Sequence, residues 1–188
     1  MVVIDSTTLL LMLRPDTPVP MGRDGSRIEQ SKERIAYLVA TLEKEKTRII
    51  IPTPALSEAL VRAGSQASQD IVQHLQKFDV FRIEPFDTRA AIEVAALSRE
   101  ALNSGNKRGN SSSSWAKVKF DRQIVAIARV HAATAIYSDD GDVAKLGKQS
   151  GIRVISLAEL PLPEQSPQLD WLDAVRDPPQ SAGGNPEP

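Results

Sequence analysis

The sequence predicts an α/β domain of three layers, with a central, mainly parallel sheet flanked on both faces by helices. Five short apolar runs, 2–5, 48–52, 80–83, 134–138 and 152–155, alternate with longer segments of helical spacing. Strands that alternate with helices are joined by right-handed crossovers, which bury the strands between helical layers. A second observation concerns where the acids fall. Asp5 closes the run Val2-Val3-Ile4, and Asp139-Asp140 close the run from Thr134 to Ser138, so both stand at carboxyl ends of strands. In an open α/β sheet that edge is where ligands bind.

The elements follow in order. After the first strand, Ser6-Thr7-Thr8 offers N-cap chemistry for a helix through Leu9 to Leu13, which Arg14-Pro15 stops. Pro15 to Ser26 reads as an exposed loop, and Arg27 to Lys46 as a helix with Ile28, Ile35, Leu38, Val39 and Leu42 on its apolar face. Arg48-Ile49-Ile50-Ile51-Pro52 is the second strand. Thr53-Pro54 then reads as an N-cap followed by proline at the first helical position, and the helix ends at Gly64. A helix over 66–77, a strand over 80–83 and a helix over 88–102 come next. The stretch from Gly105 to Ser114 is a flexible polar loop by composition. A helix over 116–131, a strand over 134–138, a helix over 141–150 and a strand over 152–155 complete a domain over 1–160. Beyond it, 161–188 is Pro-rich, with one short amphipathic piece from Leu169 to Val175, and is expected to be largely disordered.

Composition narrows the chemistry. With 188 residues, 41% of them hydrophobic, the chain can bury one sizeable core. Lys and Arg number 23 against 24 Asp and Glu, so no global field draws nucleic acid and any basic footprint is local. There is no cysteine and there are two histidines, His74 and His131. Thiolate and disulfide chemistry are excluded, and a hard cation with oxygen ligands suits the inventory best. Both histidines read as structural. Met1 runs straight into the first strand without a basic leader, and no apolar stretch approaches the roughly 20 residues that span a bilayer. A soluble cytoplasmic protein is expected.

Each acid has a functional and an ordinary reading. Asp121 falls on the same helical arc as Val118, Phe120, Ile124, Val125, Ile127 and Ala128, so its carboxylate faces the protein. A buried charge needs a basic partner or a metal, although a place near the helix start also suits a cap or dipole contact. Glu58 borders the apolar face of its helix with Arg62 four residues on, which an i,i+4 ion pair explains. Asp5 follows three apolar residues and also precedes a helix it could cap. Asp139, Asp140 and Asp142 crowd three acids into four residues where a turn and cap need one. Converging carboxylates repel one another unless a divalent cation joins them, and such a site supports attack of activated water on a phosphodiester.

The segments Val-Val-Ile-Asp-Ser, Thr-Pro-Ala-Leu-Ser-Glu-Ala-Leu, Lys-Val-Lys-Phe-Asp-Arg-Gln-Ile-Val-Ala and Ile-Tyr-Ser-Asp-Asp-Gly-Asp together resemble a PIN domain over about residues 2–160. That family comprises metal-dependent nucleases, among them VapC-like ribonuclease toxins of toxin–antitoxin pairs. The resemblance implies a PIN-like fold, Asp5 as the first-strand acid, Glu58 as the helix acid, Asp121 as the acid opening the penultimate helix, and Asp140, two residues after Ser138, as the fourth. Asp5, Asp121 and Asp140 would hold Mg²⁺ or Mn²⁺, with Asp139 and Asp142 able to share the load. It further implies RNA as substrate, a small antitoxin protein as partner and a homodimer. The loops 14–26 and 103–114 and the tail exceed a minimal toxin of this kind. Lys107, Arg108, Lys117, Lys119 and Arg122 form the densest basic group and read as RNA-phosphate contacts or as a solvated surface. A catalytically silent PIN-like module that binds RNA or protein is the alternative. A phosphotransferase with Asp5 as nucleophile is a third reading, but Asp5-Ser6-Thr7 lacks the second acid of that pattern.

Overall fold

The computed structural model describes residues 1–14, 17–22, 25–103, 105, 108, 111 and 113–163, with the backbone only of residues 65 and 66. Residues 164–188 of the expected tail of 161–188, with its amphipathic piece, and Lys107 lie outside the described residues. Five strands, β1 (Val2–Ile4), β2 (Ile49–Pro52), β3 (Phe81–Glu84), β4 (Ala135–Tyr137) and β5 (Arg153–Ile155), form one sheet in the order β3-β2-β1-β4-β5. Every pairing is parallel: Val3 sits opposite Ile50 on one side and Ile136 on the other. The helices are α1 (Ser6–Leu13), α2 (Ser31–Lys44), α3 (Thr53–Ala63), α4 (Ser65–Gln76), α5 (Thr88–Asn103), α6 (Trp115–Val130) and α7 (Gly141–Gln149), followed by a 3₁₀ turn at Leu157–Glu159.

The strands are apolar on both sides because both sides are covered. Alternate side chains of a strand point to opposite faces. Val2, Ile4, Ile49, Ile51 and Tyr137 pack with Leu9, Ile35, Leu38, Leu56 and Leu75 from α1 to α4. Val3, Ile50 and Ile136 point the other way, onto Leu97 of α5, Ile124, Val125 and Ile127 of α6 and Val143 of α7. The chain builds β1 to β3 outward on one side of β1, then crosses back to lay β4 and β5 on the other. The reversal of strand order between β1 and β4 opens a crevice at their carboxyl ends.

Local differences from the expected elements have local causes. The second helix starts at Ser31 rather than Arg27, because Gln30 adopts a left-handed φ of 52°; Ile28 is buried all the same, from the segment before it. Helix α1 begins at Ser6 and its cap is Asp5, whose carboxylate accepts from the Thr8 N–H. Thr53 does not cap α3: it is already helical, and its hydroxyl accepts from the Phe86 N–H, tying α3 to the end of β3. The loop before α6 is not wholly loose, since Ser111 and Ser113 both donate to Asp142. No helix among the described residues is long and apolar enough to cross a membrane.

Candidate active site

A cavity of about 520 Å³ opens at the carboxyl edge of β1 and β4. Asp5 from the end of β1, Glu58 from α3, Lys117 and Asp121 from α6, and Asp140 from the end of β4 all line it. Four acids separated by up to 135 positions in sequence thus meet in one crevice.

Asp5 is buried with both oxygens engaged. One accepts from the Thr8 N–H at 2.7 Å, and the other accepts from the Ser138 hydroxyl at 2.5 Å. The Ser138 oxygen in turn accepts from the Asp140 N–H at 3.1 Å, so Ser138 couples the two strand ends. Burial pushes the Asp5 carboxyl above its ordinary range, against the lowering effect of the Ser138 and Thr8 hydrogen bonds. Glu58 faces the cavity between two donors, the Ser6 hydroxyl at 2.7 Å and Arg62 at 2.7 Å.

Asp121, Asp140 and Asp142 each offer an oxygen, and these three oxygens lie within 4.8 Å of one another. Asp140 also caps α7, accepting from the Asp142 and Val143 N–H groups. Asp142, in the first turn of that helix, accepts from Ser111 and Ser113 at 2.7 and 2.6 Å. Those hydrogen bonds, with Lys117 and Lys145, outweigh burial and hold the Asp142 carboxyl below its usual range. Asp121 is 6% exposed. Burial, with the neighbouring Asp140 and Asp142, outweighs the Lys117 hydrogen bond and charge, and raises Asp121 to about 6. Three oxygen donors at this spacing fit a hard divalent ion, and a cation does stand among them: the Lys117 ammonium lies 2.9 Å from Asp121, 2.6 Å from Asp140 and 3.8 Å from Asp142. Burial works to lower the lysine's pKa, but the hydrogen bonds to Asp140 and Asp121 win and hold it above its ordinary value.

Asp139 stands apart from this group. Its carboxylate accepts from the Leu157 N–H at 3.1 Å, anchoring the turn after β5. The turn around Asp139 and Asp140 directs one acid to that contact and the other to the cavity, while Asp142 supplies the third oxygen.

The basic group divides in the same way. Lys117 pairs with the acids. Arg122 is 1% exposed, stacks on the Trp115 ring at 5.3 Å and donates to Ser98 of α5, so it is a buried link between α5 and α6 and no surface contact for phosphate. Lys119 lies over the same ring at 5.4 Å and is exposed, and Arg108 is exposed beside Asp142 and Lys145. His131, at the end of α6, lies 3.5 Å from the Glu84 carboxylate, a structural position. Burial lowers the pKa of Arg122, because its charge is held at a desolvation cost. Arg122→Met, which keeps most of the apolar volume, is therefore expected to unfold within about 1 kcal/mol of wild type. Chemical denaturation checks this; a loss of several kcal/mol would show that the buried guanidinium itself holds α5 to α6.

Sequence reasoning named Ser6 as a cap and Ser138 as a strand end but did not reach their carboxylate partners, nor those of the two loop serines, which lie between 29 and 133 positions away. It could have reached the Lys117–Asp121 contact, which is an i,i+4 pair on one helix.

The sequence matches the profile of the PIN domain over residues 28–149, a span that holds Glu58, Asp121, Asp140 and Asp142. A comparison with curated proteins finds no match. Among solved structures, FitAB bound to an IR36 DNA fragment superposes with a TM-score of 0.55 at 18% identity, covering 86% of this chain and 98% of that one. DNA-bound VapBC from Salmonella typhimurium gives 0.52 at 16%, over 83% of this chain and 97% of that one. The Mycobacterium tuberculosis VapC20, described as a Sarcin-Ricin loop cleaving toxin, gives 0.50 at 14%, over 78% and 95%. At these identities the likeness is one of fold. The profile covers well over half of the chain and takes in three of the acids that meet at the reversal point of the parallel sheet, and on that ground the protein belongs to the PIN domain family.

Proposed function

We propose that this protein is an endoribonuclease that hydrolyses phosphodiester bonds in RNA of single-stranded character, with Mg²⁺ or Mn²⁺ as its cofactor. The observation that carries the reading is the meeting of Asp121, Asp140 and Asp142 oxygens within 4.8 Å, the first two of these acids lining the cavity that Asp5 and Glu58 also line. Those three acids would hold the ion, with Asp142 taking the part expected of Asp139, while Asp5, expected among the metal-holding acids, has both oxygens engaged by Thr8 and Ser138 and stands outside the group of three. When bound, the ion supplies Lewis-acid activation of water and neutralises charge building on the attacked phosphate. Asp5 adds negative charge beside the three acids and, through Ser138, fixes the backbone from which Asp140 projects. Glu58, held by Ser6 and Arg62 across the cavity, orients the attacking water and accepts its proton. A nucleophilic Asp5 loses support, because both its oxygens already accept hydrogen bonds.

Phe120, expected on the buried arc of its helix, is instead 43% exposed and lines the cavity next to Asp121. An aromatic face at that rim suits stacking of an unpaired base, worth roughly 1–3 kcal/mol, which is the support for single-stranded character. Lys119 and Arg108 are the remaining exposed candidates for phosphate contact. The fold shared with VapC20 and with the DNA-bound VapBC and FitAB complexes supports a toxin role, with a small antitoxin as partner and a homodimer as the working form. We assign the nuclease domain to 1–160 and place the protein in the cytoplasm.

A binding module without turnover is the second reading, and the observation favouring it is the lysine ammonium seated among the acids. Incubating purified protein with single-stranded RNA in Mn²⁺, in Mg²⁺ and in excess EDTA separates the two. Cleavage in metal that stops in chelator is expected. Cleavage undiminished by EDTA would overturn the mechanism, and RNA binding without cleavage in either metal would favour the second reading.

A further inference from the structure

We propose that Lys117 is an intramolecular counter-ion that occupies the cation position among Asp121, Asp140 and Asp142, and that a divalent ion enters only by exchange with it, releasing the ammonium into the cavity. This rests on the reading of those acids as the metal site. The Lys117 nitrogen lies 2.9 and 2.6 Å from the Asp121 and Asp140 oxygens, and 3.8 Å from Asp142. A small divalent ion bound by the same oxygens at about 2.1 Å would share space with that nitrogen and repel it. The two cations exclude one another.

The side chain is built to leave. Lys117 is the third residue of α6, and its side chain is 41% exposed, whereas the Asp121 carboxylate four residues on is buried. A lysine is a compact charge on a flexible four-carbon stem, so the ammonium can withdraw without moving the helix. It also lines the cavity beside Phe120, so on release it stays within reach of an anionic substrate. Until then it offsets the mutual repulsion of three carboxylates, and as part of the same helix as Asp121 it is present at every encounter between site and ion. Metal affinity is consequently set by a competition within one chain.

The experiment titrates wild type and Lys117→Met with Mn²⁺ in the absence of RNA, by calorimetry. The variant is expected to bind Mn²⁺ at least tenfold more tightly. In parallel, wild type is treated with an amine-reactive reagent in EDTA and in saturating Mn²⁺, and Lys117 labelling is read by mass spectrometry. Labelling at Lys117 is expected to rise several-fold with Mn²⁺, with Lys145, whose side chain is 62% exposed, labelled under both conditions. Equal or weaker Mn²⁺ binding by the variant, or labelling of Lys117 indifferent to Mn²⁺, would overturn the exchange while leaving the metal site standing. Mn²⁺ binding by neither protein overturns both readings. Should Lys117→Met fail to fold, the wild-type labelling decides alone.

Discussion

Asp121→Asn is expected to remove RNA cleavage while leaving the metal-free protein as stable as wild type, or more stable, at pH 7. The activity loss should exceed the roughly 10–100-fold that follows from losing an outer partner of a metal ligand. Stability goes the other way because the buried carboxyl titrates at about 6 in the folded protein, against an ordinary 3.8. Between those values the folded state binds the extra proton, so the contribution of this carboxyl to stability is fullest at low pH and is lost as pH rises through about 6. Asparagine has nothing to ionise and escapes that loss, which is on the order of 3 kcal/mol. Melts in EDTA at pH 4 and pH 7.5 should therefore nearly coincide at the lower pH and separate at the higher, with the variant above. Adding Mg²⁺ at a hundredfold excess over Kd stabilises wild type by about 2.7 kcal/mol, and most of that gain should be missing in the variant. A variant that melts well below wild type in EDTA, beside a wild type indifferent to metal, would make Asp121 a structural partner of Lys117 and nothing more.

What the sequence disclosed depended on how local the cause was. Runs such as Ile49-Ile50-Ile51 and the spacing in α6 are local, and they foretold the strands and the buried face on which Asp121 rides. The ordering of the strands is a matter of long-range pairing, and nothing in Val2-Val3-Ile4 says that Ile50 and Ile136 become its neighbours. The same division runs through the site. Asp5 and Asp140 were legible because each follows the end of a strand, Asp121 because it falls on the apolar arc of α6, and Glu58 through the resemblance of its helix segment. The choice between Asp139 and Asp142 was not, since it is made by Leu157 on one side and by Ser111 and Ser113 on the other. Lys117, Lys119 and Arg122 look alike as charges in a row; burial separates them, and burial of Arg122 follows from Trp115 and α5 closing over it.

Asp5 offers the other large effect, because two substitutions at one position separate its scaffold role from its charge. Asp5→Ala leaves the Thr8 N–H and the Ser138 hydroxyl without their acceptor in a buried crevice. Loss of a helix cap costs about 1 kcal/mol, and an abandoned buried donor about 1–3 kcal/mol, so a total on the order of 2–4 kcal/mol is expected. Ser138 would no longer be fixed, and with it the Asp140 N–H would lose its register on the cavity. Activity should disappear along with stability. Asp5→Asn keeps an oxygen for Thr8 and a polar group facing Ser138, and it removes a charge that burial already disfavours. It should therefore melt within about 1 kcal/mol of wild type. If the negative charge of Asp5 serves the acid cluster, this well-folded variant is still inactive and its Mn²⁺ affinity falls. Urea denaturation, Mn²⁺ titration and an RNA cleavage assay on the pair make the comparison. Wild-type cleavage by Asp5→Asn would take Asp5 out of the catalytic acids and leave it as the cap of α1 and the tether of Ser138.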